Sequence, residues 1–216
     1  MKKCTSAIIV GTGSHSKAVI SLLKRNKSFN IKGLLDPSKN FDINEKIMNY
    51  PVIGSINNFE EILSIDKFVF FVAIGDNSKR REIFNYLNKK DVQLPNLFDI
   101  NSYVDISAEL GKGNLFFYNT FVGPLVKLGS NNIINTGSII EHDSQISSHC
   151  HLSPKSLICG NCFIEDLCFL GANSTIINNI KLSSSTIIGA GSTVIKNILE
   201  PSLTYVGSPA KNIRNS

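Results

Sequence analysis

From Val104 to Val194 an aliphatic or aromatic residue stands at every sixth position without a slip in phase. The series is Val104, Leu110, Phe116, Val122, Leu128, Ile134, Ile140, Ile146, Leu152, Ile158, Ile164, Leu170, Ile176, Leu182, Ile188 and Val194. An amphipathic helix repeats near every 3.6 residues and a two-faced strand every two, so a period of six fits neither. It is the signature of a hexapeptide repeat coiled into a parallel β-helix. Four residues after each of these positions the side chain is usually compact, as at Ser138, Ser144, Cys150, Ser156, Cys162 and Cys168. The first column fills the interior and the second fits the corners.

Three hexads close one triangular coil, so residues eighteen apart stack at roughly the 4.8 Å spacing of paired strands. At about 1.5–3 kcal/mol for each buried apolar side chain, the core column supplies tens of kcal/mol against the entropy of ordering. Gly111, Gly123, Gly129, Gly171 and Gly189 each follow a core position by one residue. That pattern predicts corners needing an unhindered backbone. Asn131, Asn132, Asn173, Asn178 and Asn179 are expected at similar corners, because Asn tolerates the left-handed region.

Ahead of the repeat the pattern changes. Strands are expected at Ser6–Gly11, Ile31–Asp36 and Phe68–Gly75, and helices at Ser14–Arg25, Phe59–Leu63 and Lys79–Leu87. Strands alternating with helices imply a small parallel sheet. The chain therefore divides into an α/β, Rossmann-like domain at 1–96, a β-helix domain at 97–204 and a C-terminal cap or tail at 205–216. Gly11-Thr12-Gly13-Ser14-His15 follows a strand and opens a helix, and Asp36 and Pro37 end the next strand. Such a glycine turn lets backbone N–H groups and a helix N-terminus approach phosphate. Ser16 replaces the third glycine of the dinucleotide fingerprint, so a nucleoside diphosphate suits the turn better than a full nicotinamide cofactor. Gly75-Asp76-Asn77 closes the third strand, at the sheet edge where ligands of open α/β folds bind.

The net charge of +5 is modest, and the basic residues are scattered instead of forming one run. A phosphate-bearing small ligand accounts for it, and no nucleic-acid partner is expected. No stretch of eighteen apolar residues occurs, so no membrane span and a cytoplasmic location are expected. Cys159 and Cys162 form a C-x-x-C, but Cys150, Cys162 and Cys168 fall in the compact corner column, where Cys serves as a small apolar side chain. No metal is expected at them.

Three histidines lie within ten residues of the repeat: His142, His149 and His151. They occupy different hexad phases, so the repeat does not converge them on one metal. His142 is placed to point outward near a corner, and Asp143 follows it directly. An imidazole beside a carboxylate is what a general base needs, since the carboxylate holds its tautomer.

The strings Asn135-Thr136-Gly137-Ser138-Ile139-Ile140-Glu141-His142-Asp143, Phe169-Leu170-Gly171-Ala172-Asn173-Ser174 and Val206-Gly207-Ser208-Pro209-Ala210-Lys211 resemble the left-handed β-helix sugar acetyltransferases. Together with Gly11 to His15, Leu35-Asp36 and Ala73 to Asn77, they resemble most closely the branch holding bacterial UDP-4-amino-sugar N-acetyltransferases and the sialic acid O-acetyltransferases. The resemblance implies the left hand of the coil, acetyl-CoA as co-substrate and a homotrimer with active sites between subunits. It implies His142 as catalytic base and Asp143 as its orienting partner, at a position where Glu is common. Asn135, His151, Ala172 and Ala190 match positions along acetyl-CoA. Gly13, Ser14, His15, Asp36, Pro37, Gly75 and Asn77 match the nucleotide-sugar region.

The expected reaction is N-acetylation of a UDP- or dTDP-linked 4-amino-4,6-dideoxy sugar, in bacterial surface glycan or glycoprotein biosynthesis. Two alternatives stay open at this point: O-acetylation of a sialic or other nonulosonic acid, and a non-catalytic, nucleotide-binding trimeric scaffold.

Overall fold

The computed structural model describes residues 4–38, 42, 44–58, 61 and 67–213. The chain forms two compact units, Met1–Leu97 and Phe98–Ser216.

In the first unit, strands β1 (Thr5–Val10), β2 (Phe29–Asp36), β3 (Lys46–Ile47), β4 (Tyr50–Ser55) and β5 (Val69–Val72) form one sheet in the order β3-β4-β2-β1-β5. Its pairs are parallel apart from the β3–β4 hairpin. Ala7 to Val10 are wholly buried, as suits a central strand covered on both faces. Strands β3 and β4 were not expected from the sequence, because Pro51 and Gly54 break up the apolar run of β4.

Helix α1 (Ser14–Asn26) buries Val19, Ile20, Leu22 and Leu23 and carries Lys24 and Arg25 in its last turn, where cations complement the helix dipole. Helix α2 (Asn77–Lys89) is capped by Asp76, whose carboxylate accepts from the Lys79 N–H at 2.8 Å. Of the helix expected at Phe59–Leu63, only Glu61 falls among the described residues. Because β2 and β5 flank β1 on opposite sides, the strand order reverses at β1. The loops after β1 and β5 therefore open a crevice at the carboxyl edge of the sheet.

The second unit is a parallel β-helix of two-residue strands in three faces. The first face runs from Tyr103–Val104 to Thr193–Val194, the second from Glu109–Leu110 to Lys181–Leu182, and the third includes Leu115–Phe116 through Ile187–Ile188. Register is eighteen residues throughout, as in Phe121↔Ile139↔Leu157. From Phe116 onward every residue of the core column is at most 3% exposed. The three corner cysteines are buried as packing residues. Inside one corner, the Asn132 N–H donates to Asn114 Oδ1 at 2.8 Å and the Cys150 N–H to Asn132 Oδ1 at 2.7 Å, so these buried amides form a ladder.

The expected role of the glycines is corrected. Every sixth residue from Gly113 to Gly191 has a left-handed φ, between 56° and 71°, and these turns lie three residues after the core position. Asn131, Asn173 and Asn179 occupy them, whereas Asn132 and Asn178 do not. The glycines one residue after the core answer a different need, which is close approach of the next coil. A Cβ on Gly171 would lie 2.5 Å from the Ala190 nitrogen, and one on Gly129 would lie 2.6 Å from Ser148 Oγ.

Beyond residue 204 the column continues for one more rung. Thr204–Val206 pairs in parallel with Ile187–Ile188, and Lys211–Asn212 returns antiparallel to close that end. The last residues of the expected tail, 214–216, lie outside the described set.

Candidate active site

In the first unit β1 runs into a turn that only glycine can make. Gly11 has φ +125°, and a Cβ there would lie 2.8 Å from the Ala73 carbonyl oxygen. Gly13 is different: nothing lies within 4 Å of its Cβ position. Helix α1 starts at Gly13 without a side-chain cap and without an acidic residue in its first turn. The Ser16 N–H donates to the Gly13 carbonyl at 3.0 Å, and no side chain of the helix's own cap competes with an acceptor brought to this end.

A cavity of about 580 Å³ opens here, walled by Gly11 to His15, Pro37, Ser38 and Ala73 to Asp76, with Lys79 at its side. It brings together Gly13, Ser14, His15, Pro37 and Gly75. Asp36 and Asn77 are not among its lining residues. Asp36 accepts hydrogen bonds from the Thr12 hydroxyl and, at 2.6 Å, from the Ser38 N–H. Burial raises its pKa, but these bonds from Ser38 and Thr12 outweigh it and hold the carboxyl below the usual range. Asn77 Oδ1 accepts from Arg80 Nη2 at 2.8 Å. Both side chains are thus engaged by neighbouring loop residues and do not line the cavity.

Arg80 is 1% exposed and donates from Nη1 to the carbonyls of Ile74, at 3.2 Å, and Gly75, at 3.0 Å. It pins the loop opposite the glycine turn. Burial and the Arg80 charge lower the His15 pKa to about 4, so this imidazole is neutral near pH 7. The roles of Arg80, Thr12 and Ser38 in holding these loops were not read from the sequence, since only the folded loops give them their partners.

In the second unit His142 stands on the corner between the first and second faces, two residues past Ile140. Its Nδ1–H donates to Asp143 Oδ2 at 2.8 Å, and both side chains are more than half exposed. The corner turn sets this pair, because Asp143 takes the left-handed conformation, φ 59°. The imidazole rests on Gly160 of the next coil, where a Cβ would lie 2.6 Å from Cε1 and 2.7 Å from Nε2. Gly160 escaped the sequence reading, yet counting eighteen residues on from His142 finds it.

The predicted cofactor positions gather on the other corner of the first face. The side chains of Asn135 and His151 meet at 3.3 Å between Nδ2 and Nε2, with the His151 ring edge-on to Phe169. Ala172 and Ala190 stand in later coils along the same corner, both exposed, with the Gly191 N–H donating to the Ala172 carbonyl at 2.8 Å. The first face thus lies between this corner and His142. His149 pairs instead with Asn131, 2.8 Å away, so the three solenoid histidines each keep different company. Among the described residues no group of three His, Cys, Asp or Glu is placed to hold a metal ion.

A parallel β-helix carrying an exposed His–Asp pair, preceded by an α/β unit with a glycine-walled crevice, defines a hexapeptide-repeat acyltransferase. Residues 6–87 match the PglD N-terminal domain. A mutant of perosamine N-acetyltransferase from Caulobacter crescentus, in complex with CoA and GDP-perosamine, is similar to the chain with a TM-score of 0.91 and 26% identity over 99% of both chains. The acetyltransferase domain of PglB from Neisseria gonorrhoeae gives a TM-score of 0.88 at 25% identity, covering 96% of this chain and 99% of that one. WeeI from Acinetobacter baumannii shares the fold, with a TM-score of 0.80 at 22% identity, covering 97% of this chain and 100% of that one. No curated protein sequence matches the chain. Residues 6–87 thus carry the PglD N-terminal domain, and the chain as a whole has the fold of the left-handed β-helix sugar N-acetyltransferases to which it is similar.

Proposed function

We propose that this protein transfers the acetyl group of acetyl-CoA to the amino group of a nucleotide-linked 4-amino-4,6-dideoxy sugar. The observation that carries this reading is the exposed His142–Asp143 pair, 2.8 Å apart. It stands in a chain that aligns end to end with an enzyme held with CoA and a nucleotide-linked amino sugar. The crevice of the first unit, with its uncapped helix start, suits the diphosphate of the sugar nucleotide.

Transfer is direct in this reading. The sugar nitrogen attacks the thioester carbon, His142 Nε2 takes the proton released, and Asp143 steadies the resulting imidazolium. Backbone N–H groups stabilise the tetrahedral oxyanion. As the C–S bond breaks, the imidazolium returns its proton to the departing thiolate, giving the amide and CoA thiol.

Asn135, His151, Ala172 and Ala190 hold the cofactor in this reading, and the assembly is a homotrimer. A cyclic trimer joins two different edges of neighbouring copies. Packing through the first face would set the His142 corner of one copy against the Asn135 corner of the next. The outer column of that face supports this, because Tyr103, Phe121, Ile139 and Leu157 are apolar and only partly covered. The second face presents Glu109, Lys127, Gln145, Phe163 and Lys181 in the same column. Among the described residues no helix is long and apolar enough to cross a membrane. A cytoplasmic role in surface-glycan or glycoprotein biosynthesis follows from the co-substrates.

The test is to incubate the protein with acetyl-CoA and UDP-, dTDP- and GDP-linked amino sugars, with unlinked sialic acid beside them, and to read CoA thiol release. Turnover is expected with at least one nucleotide-linked amine. Turnover confined to the hydroxyls of sialic acid, or none with any acceptor, overturns the proposal.

A further inference from the structure

We infer that Gly160 is a positioning residue for the catalytic histidine, a seat whose missing side chain fixes where the base nitrogen of His142 lies. The inference rests on His142 being the base. A Cβ on Gly160 would lie 2.6 Å from His142 Cε1, 2.7 Å from Nε2 and 3.2 Å from Nδ1. Three ring atoms at such distances mean that the imidazole lies across the Gly160 Cα. To reach ordinary contact at 3.4 Å the ring would have to withdraw by about 0.8 Å.

Neither the backbone nor the repeat demands glycine at this position. Gly160 is not among the residues with positive φ, so alanine fits its conformation without strain. Its phase, two residues after the core, recurs sixteen times from Ile106 to Lys196. The other occupants include Tyr118, Pro124, Asp166 and Asn178, and Gly160 is the only glycine. It stands one coil from the only histidine in the same phase. Beneath the same histidine, a Cβ on Gly123 would lie 3.0 Å from its backbone nitrogen. His142 is therefore enclosed between glycines of the coils on either side, with its ring seated on one and its main chain on the other.

A ring displaced by most of an ångström pulls Nε2 from its place and strains the 2.8 Å bond from Nδ1 to Asp143. A misplacement of about 1 Å costs on the order of 10²-fold in rate. The test is a double-mutant cycle of Gly160→Ala and His142→Ala, read as kcat and KM for acetyl-CoA beside a thermal melt.

Gly160→Ala is expected to melt no lower than the parent, to lose kcat on the order of 10²-fold and to keep its KM. In the His142→Ala background it is expected to cost nothing further, because no ring remains to displace. An equal loss in both backgrounds would show that Gly160 acts independently of His142 and overturns the inference. So would an unchanged kcat in Gly160→Ala, or failure of that variant to fold. If His142→Ala itself keeps full activity, the reading of His142 as base falls, and this inference falls with it.

Discussion

His142 Nδ1 and Asp143 Oδ2 lie 2.8 Å apart although the residues are adjacent in sequence. Neighbours in an extended strand point to opposite faces. Here the left-handed turn at Asp143, φ 59°, swings its carboxylate back to the preceding ring. The repeat's corner thus builds the pair without help from a distant element.

Replacing His142 with Ala is expected to lower the acetylation rate by about 10²–10⁴. Asp143→Asn keeps a residue that accepts the left-handed turn but removes the charge that steadies the imidazolium. Its rate is expected to fall by roughly tenfold or more, yet less than that of His142→Ala. Both variants should melt near the parent temperature, since the two side chains are more than half exposed. Initial rates at saturating acetyl-CoA, with a melt of each variant, decide this.

Gly11 and Gly13 should separate folding from binding. Gly11→Ala puts a Cβ 2.8 Å from a backbone oxygen at a φ of +125°. A destabilisation of about 2 kcal/mol or more is expected, measured by urea unfolding. Gly13→Ala meets open space and should fold normally while binding the sugar nucleotide several-fold more weakly. Calorimetric titration reads the second effect, and unchanged affinity would remove Gly13 from the phosphate-facing turn.

Leu125 holds the left-handed corner conformation, φ 59°, with its side chain 59% exposed. A branched side chain pays for that backbone, where Asn is more tolerant. Leu125→Asn is expected to raise stability by about 0.5–1 kcal/mol, seen as a higher urea midpoint at constant slope. An equal or lower midpoint would show that strain is not the controlling cost at this corner.

The neutral His15 gives the first unit a pH dependence of known sign. Its pKa is about 4 in the folded chain against 6.5 for the unperturbed side chain. Between those values the unfolded chain binds the proton and the folded chain does not, so stability falls as pH drops. The loss approaches about 1.4 kcal/mol per pH unit and totals about 3 kcal/mol by pH 4. None of it is incurred above pH 7. His15→Gln should flatten the stability curve between pH 6.5 and 4, measured by denaturant midpoints across that range.

The sequence by itself determined the solenoid, because the six-residue period is a local code that each coil reads in the same way. Core column, compact corner column and the outward histidine all follow from counting in phase. It also marked the glycine turn after β1, since a strand, two glycines and a helix are contiguous. Tertiary structure decided what contiguity could not. Strand β4 became visible only through its pairing with β2. The glycines after the core positions proved to be there for a neighbouring coil, and the true left-handed turns lay two residues further on. Asp36 and Asn77 turned to Thr12, Ser38 and Arg80 because loop closure supplied nearer partners than the cavity. Gly160 came against the His142 ring only through stacking at eighteen residues. Steric contact between coils and hydrogen bonds between loops depend on distances in space, which a linear pattern encodes only where the repeat carries them.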